Sequence, residues 1–270
     1  MKKILYVLIV VFAITLSGCG EEKELYIATT TSLDNSGLLG YLLPYFEEEY
    51  DIKVNVIARG TGAALELGKE GEVEILLVHD LAREIQFVAD GYGTKRANIM
   101  YNDFIILGPE VLLSTSLDQA LIEIKDNYSF YSRGDNSGTH SKELSLWESV
   151  NLDPSTFGEF YNETGQGMGD TISMASLSGY YTLSDRGTYL SMRDNIDLVI
   201  ACENDPRLIN QYGVIKVNPD LYNKTDEYAD LFYEWILDQD TQDLIDEYII
   251  YDEQLFISNA EWYKWFLKVL

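Results

Sequence analysis

Two histidines and two cysteines in a chain of 270 residues leave little material for metal or redox chemistry. No paired metal-ligand spacing occurs, and neither G-x-S-x-G nor a Walker-type G-x-x-x-x-G-K-S/T is present, so hydrolytic and nucleotide-binding classes lose their usual markers. Basic residues are scarce as well: 19 Lys and Arg stand against 45 Asp and Glu, a formal charge of −26 that makes nucleic acid an improbable partner. No internal repeat, low-complexity tract or Pro-rich linker appears. With 46% hydrophobic and 24% charged residues the composition is that of an ordinary globular protein, long enough for two lobes with separate cores.

Long apolar runs are missing too, except at the start. Lys2 and Lys3 precede the apolar stretch Ile4 to Leu16, which ends in Leu16-Ser17-Gly18-Cys19. About 13 residues fall short of the ~20 a helix needs to cross a bilayer, so residues 1–18 read as a signal peptide with a small-residue cleavage site. Leu-Ser-Gly-Cys resembles a bacterial lipobox. On that reading Cys19 is lipidated and becomes the new N-terminus, residues 19–24 are a polar tether, and the body is extracytoplasmic and anchored to the membrane. Cys202 then has no disulfide partner, and core packing is its expected role. Losing Lys2 and Lys3 leaves 17 basic against 45 acidic residues, about −28. That charge governs solubility more than the ligand, because surface charge is screened beyond ~8–10 Å.

From Leu25 onward, strands alternate with helices through short Gly, Ser and Thr turns, the pattern of a parallel α/β sheet. Strands are predicted at 25–28, 54–58, 73–78, 129–132 and 198–201, and helices at 38–46, 63–69, 82–89, 117–125, 141–150, 226–237 and 241–247. Two longer apolar strands, 98–109 and 213–219, read as crossovers between two lobes. Lobe one is then discontinuous, 25–108 plus 213–270, and lobe two is the insertion 109–212.

Three segments share one grammar, in which a strand ends, a Gly/Ser/Thr loop follows and a helix begins: Thr29 to Ser32, Gly60-Thr61-Gly62, and Ser132 to His140. Helix starts present unpaired N–H groups and partial positive charge, and in a parallel sheet they share the carboxyl edge where ligands bind. Any one of these loops could simply cap its helix. Three together, one containing Arg133, point to an oxyanion, since a guanidinium donates in a fixed fork and keeps its charge. The candidate ligand residues are Thr30, Thr31, Ser32, Thr61, Gly62, Arg133, Ser137, Gly138 and Thr139. Arg133 could alternatively pair with Asp135, His79 reads as a structural hydrogen-bonder, and His140 could either face the cleft or serve its helix turn. The tripeptide Arg133-Gly134-Asp135 also matches an adhesion signal, which the helix-start context explains better. A phosphoester hydrolase using Asp135 and His140 is the least supported class.

Longer stretches carry a family resemblance: Thr29-Thr30-Thr31-Ser32-Leu33-Asp34-Asn35-Ser36-Gly37-Leu38, Leu76 to Asp80, Met100 to Phe104, Ser132 to His140, Glu163 to Gly169 and Tyr181 to Tyr189. Across the whole mature length the chain resembles the tungstate-binding proteins of ATP-binding-cassette importers, within the two-lobed solute binders that include molybdate, sulfate and phosphate proteins. Glu110 to Ser116 departs from that pattern by lacking the expected Pro- and Gly-containing loop. The resemblance implies a type II periplasmic-binding-protein-like fold and an oxyanion held by Arg133, Thr139 and the first Thr/Ser loop. It further implies no catalysis and no cofactor, the permease subunits of an importer as partners, and a monomer. Tungstate and molybdate are dianions that want donors only, whereas phosphate near neutrality keeps a proton and rewards an acceptor. The first two loops offer no carboxylate, which favours tungstate; Asp34 and Asp135 keep phosphate open.

Overall fold

The computed structural model describes residues 23–114 and 116–260. Residues 1–18 and Cys19 lie outside the described residues. In chain order the elements are β1 (Glu24–Thr30), α1 (Thr31–Asn35), α2 (Leu38–Tyr50), β2 (Lys53–Arg59), α3 (Thr61–Lys69), β3 (Ile75–Val78), α4 (Leu81–Ala89) and β4 (Gly93–Gly108). Then come α5 (Leu117–Asn127), β5 (Phe130–Ser132), α6 (Gly138–Ser149), β6 (Tyr161–Glu163), α7 (Met168–Ser178), β7 (Tyr181–Asp185), α8 (Arg186–Met192), β8 (Val199–Cys202) and β9 (Ile209–Val217). The chain closes with α9 (Glu227–Leu237), α10 (Gln239–Glu247), β10 (Ile249–Ile250), β11 (Glu253–Gln254) and β12 (Ile257–Ser258). No helix among the described residues is long and apolar enough to cross a membrane.

Strand order β2-β1-β3-β9-β4-β7-β5-β6 resolves into two halves that share β4. Residues Gly93 to Asp103 of β4 pair antiparallel with β9, and from Phe104 onward the strand pairs antiparallel with β7. The chain therefore passes from one half to the other at Asp103–Phe104. At that step Arg186 grips Asp103 with two hydrogen bonds of 2.7 Å, a bidentate pair that fixes the geometry of the junction. Within the halves, β1 pairs parallel with β2 and β3, and β5 pairs parallel with β6 and β7. The two long crossovers supply the antiparallel strands. Both are longer at their N-terminal ends than their apolar runs predict, because charged and polar residues such as Lys95 and Gln211 belong to the ladder.

Each half is covered on both faces. On the first, Leu38, Leu42 and Phe46 of α2 pack with Phe232 and Trp235 of α9 and Ile245 of α10. The opposite face takes Ala64 and Leu65 of α3 and Phe87 of α4. On the second, Leu117, Leu121 and Ile124 of α5 meet Leu146 and Trp147 of α6, while Met168, Ile172 and Ala175 of α7 cover the other side. The apolar spacing in α2 and α5 is what turns one stripe of each helix inward, and each fully buried side chain of this size contributes roughly 1.5–3 kcal/mol. The segment 161–192, for which no elements were predicted, contains β6, α7, β7 and α8. Helix α7 is weakly amphipathic, α8 is only seven residues long, and both contain Gly, Ser and Thr, so hydrophobic period carries little signal there. Leu190 of α8 packs in the first half's core although its neighbours in sequence belong to the second, so α8 straddles the junction. Cys202 is a half-buried free thiol against the second core.

One core carboxyl sits apart from this apolar packing. Glu143 of α6 is buried and accepts hydrogen bonds from Trp147 Nε1 at 3.0 Å and Tyr161 Oη at 2.7 Å. Burial pushes its pKa up to about 7 despite those donors. A carboxyl with a raised folded-state value is more protonated in the folded than in the unfolded chain. Its contribution is present in full below the ordinary carboxylate value and is lost as pH rises to about 7. The melting temperature is therefore expected to fall between about pH 5 and about pH 7.5, and Glu143→Gln to flatten that part of the curve. Thermal unfolding followed by circular dichroism checks this; parallel curves for the two proteins would contradict it.

Candidate oxyanion site

In each half the three parallel strands end on one side, and the two sets of exits converge on a cavity of about 480 Å³ between the halves. Thr30, Thr31 and Ser32 follow β1, Gly60 and Thr61 follow β2, and His79 follows β3. From the second half come Arg133 with Ser137, Gly138 and Thr139 after β5, Gly167 to Asp170 after β6, and Asp185, Gly187 and Thr188 at the end of β7.

Five helices start on this wall. Thr30 caps α1 by accepting from the Leu33 N–H at 3.3 Å, Ser137 caps α6 by accepting from His140 N–H at 3.2 Å, and Asp185 caps α8 through Thr188 N–H at 2.8 Å. Gly60 and Gly167, the N-caps of α3 and α7, have no side chain to do the same. Their first-turn N–H groups therefore face the cavity without an internal acceptor. Because α1 and α8 are short, the dipole weight rests on α3, α6 and α7.

Helices begin earlier here than apolar spacing suggests. The helix predicted at 141–150 starts at Gly138, and the one predicted at 63–69 starts at Thr61. Small polar residues, invisible to hydrophobic period, thus form the first turns, and the β1 exit is itself one turn of helix. The loop from Arg133 to Ser137 is shaped by Gly134 and Asn136, both with positive φ, at 61° and 58°. A side chain at Gly134 would meet Glu163 Cβ at 2.5 Å, so glycine is required on both counts. The loop is further tied to its neighbour by Gly165 N–H donating to Arg133 O at 2.8 Å.

Arg133 lines the cavity and also pairs with Asp135, Nη2 to Oδ2 at 2.5 Å, so the two roles weighed for it coexist. Its Nε is buried without a hydrogen-bond partner. Asp135 is off the cavity wall; burial alone would raise its pKa, but hydrogen bonds from Ser137 and Arg133 outweigh that and hold it below the usual carboxylate range. It thereby orients the guanidinium as a permanent anion. His140 is off the wall as well, its Nδ1 accepting from Asn136 N–H at 3.0 Å. Asp135 and His140 are thus committed to the loop and the helix turn, and the proposed hydrolytic pair does not form. Among the described residues no group of three or more His, Cys, Asp or Glu could hold a metal ion.

Of the nine candidate ligand residues, eight lie on the wall: Thr30, Thr31, Ser32, Thr61, Arg133, Ser137, Gly138 and Thr139. Gly62 does not; it is exposed at the second position of α3, beside Arg83. Sequence reasoning missed Gly167, Asp170, Asp185 and Thr188, placed Gly60 in the second loop without choosing it as a ligand, and assigned His79 a structural role although it lines the cavity. Two signals were available: Gly165-x-Gly167-x-Gly169 before a helix, and Asp185 three residues ahead of Thr188 as a capping pattern. Asp170 and Asp185 also put carboxylates on a wall that the first two loops leave free of them.

The family model of the PBP superfamily domain matches residues 20–240. A tungstate-binding protein TupA of Peptoclostridium acidaminophilum is 44% identical, with 96% of this chain and 99% of that protein covered. The solved structure of the tungstate-binding protein TupA from Desulfovibrio alaskensis G20 is 43% identical with a TM-score of 0.81, covering 88% of this chain and 99% of its own. That of the tungstate ABC transporter from Geobacter sulfurreducens is 41% identical with a TM-score of 0.76, covering 85% and 100%. With this identity along nearly its full length and the same two-lobed fold, the chain belongs to the PBP superfamily and, within it, to the family of TupA tungstate-binding proteins.

Proposed function

We propose that this protein is an extracytoplasmic receptor, anchored through Cys19, that captures tungstate in the inter-lobe cavity and delivers it to the permease of an ABC importer. The observation that carries the ligand reading is the Arg133 guanidinium set among helix starts without side-chain caps on the wall of one cavity. A dianion there meets donors from both sides, and each hydrogen bond to a charged group contributes about 1.5–3 kcal/mol. Tungstate in particular rests on the relatives, two of which are named tungstate-binding proteins. Residues 25–103 with 209–260 and residues 104–208 act as the two lobes, the boundaries lying at the Asp103–Phe104 step and before Ile209 and not at 108/109 and 212/213, with β4 and β9 as the hinges about which they close.

A second reading, phosphate, draws on Asp170 and Asp185, which could accept the proton that phosphate keeps. Against it, both Asp185 oxygens already accept from Thr188, its N–H at 2.8 Å and its hydroxyl at 2.7 Å. Molybdate fits the same donors as tungstate.

A thermal-shift panel of tungstate, molybdate, sulfate and phosphate separates these readings. A ligand at 100 times its Kd adds about 2.7 kcal/mol to apparent stability, a rise of roughly 5–10 °C for a chain of this size. Tungstate is expected to give the largest shift, and a larger shift with phosphate would overturn the substrate assignment. Arg133→Ala is expected to weaken tungstate binding by about tenfold or more in calorimetry while leaving the unliganded melting temperature nearly unchanged. Cys19→Ser is expected to move the protein from the membrane fraction to the soluble fraction; retention in the membrane would dismiss the lipid anchor.

A further inference from the structure

On the cavity wall a histidine of the first lobe faces a glycine of the second. His79 stands at the exit of β3 in the first lobe, and Gly138 is the first residue of α6 in the second. A Cβ placed on Gly138 would lie 3.0 Å from His79 Cε1, 3.6 Å from Nδ1 and 3.8 Å from Nε2. The imidazole edge that carries both nitrogens thus abuts the start of α6. Its face is supported from behind by Tyr212 of β9, with ring centroids 4.9 Å apart. Held in this way, the ring has little freedom to turn from the cavity that it and Gly138 both line.

We infer that His79 is a further anion-binding residue, which reaches across the cleft to donate a hydrogen bond to the bound oxyanion, and that the missing side chain at Gly138 is what lets the lobes close onto it. This rests on the oxyanion reading above and adds to it a ligand from the lobe opposite Arg133. Asn210 of β9 bonds the ring within its own lobe, while the Cε1 edge of His79 faces Gly138 of the other lobe and the ring lines the cavity. Gly138 opens α6, and a side chain there would stand against the His79 ring.

The charges facing the ring determine how the contact responds to pH. Asp80 adjoins it on the same loop, with Glu84 of α4 accepting from the Asp80 N–H, and Asp185 at the start of α8 and Asp170 of α7 share the cavity. Arg133 faces it from the β5 exit, and Tyr212 packs behind it. Burial lowers the imidazole pKa, with Asp185 and Asp80 opposing that effect, so the ring in the empty cavity is neutral near pH 7. A bound dianion stabilises the imidazolium and raises the pKa. Affinity should then increase as pH falls through the liganded value, with net proton uptake on binding.

Calorimetry with tungstate between about pH 8 and about pH 6, in buffers of different ionisation enthalpy, tests this on the wild-type protein, His79→Gln and Gly138→Ala. The wild type is expected to bind about threefold or more tighter at the acid end with proton uptake. His79→Gln should lose about fivefold or more in affinity and should show neither the pH trend nor the uptake. Gly138→Ala, which adds one methyl group against the ring, should weaken binding about fivefold or more while its unliganded melting temperature stays nearly unchanged. Unchanged affinity in either variant, or a pH trend that survives in His79→Gln, would overturn the assignment. Failure of the oxyanion reading itself looks different: the wild-type protein would bind none of tungstate, molybdate, sulfate and phosphate.

Discussion

Unpaired N–H groups at the starts of helices are the constraint on which the rest of this structure depends. A strand that runs parallel to its neighbour must return through a helix, and every such helix begins at the strand's carboxyl end with four donors its own turns cannot satisfy. In each half of this molecule three parallel strands aim those ends the same way. Folding the two halves about the shared strand β4 sets the two carboxyl edges opposite each other, so the unsatisfied donors of both enclose one cavity. Three of the five helix starts are capped internally by Thr30, Ser137 or Asp185. Glycine at the other two leaves donors open for a ligand.

Charge in this protein follows two separate rules. Forty-five acidic residues against 19 basic ones make the whole chain strongly negative. Inside the cavity the balance is local: Arg133, held by Asp135, is the Arg or Lys on the wall among the described residues, and the helix termini add partial positive charge. Excess surface carboxylates are screened within about a Debye length, so they need not oppose a buried anion. Asp170 and Asp185 are the carboxylates close enough to matter, and Thr188 already occupies both oxygens of the second.

A bidentate ion pair braces the place where the chain passes from one half to the other. Arg186 opens α8, clasps Asp103 at the point where β4 changes partners, and also bonds Glu203 just beyond β8 at 2.5 Å. Its pKa is raised by these hydrogen bonds, Asp103 first, and it remains a cation throughout. With Leu190 of the same helix seated in the first core, α8 couples both lobes to the crossover strands. The junction between the lobes is thus reinforced by side-chain pairing and is not a slack linker.

Much of this was legible in the sequence. Alternating apolar strands and amphipathic helices marked out most elements, and the Gly/Ser/Thr loops at Thr30 to Ser32, at Thr61 and around Arg133 supply much of the cavity lining, because local chemistry at a helix start is written in neighbouring residues. Where period was weak, over residues 161–192, the same chemistry went unread, and with it Gly167 and Asp185. Tertiary structure alone decided the facts that join distant residues: Gly62 points away while Gly60 faces inward, Arg133 both lines the cavity and pairs with Asp135, and His79 meets Gly138 across the cleft. Spacing along a chain carries the shape of a strand exit or a helix turn. Which exits come face to face depends on how two sheets twist about one shared strand, and no local pattern records that angle.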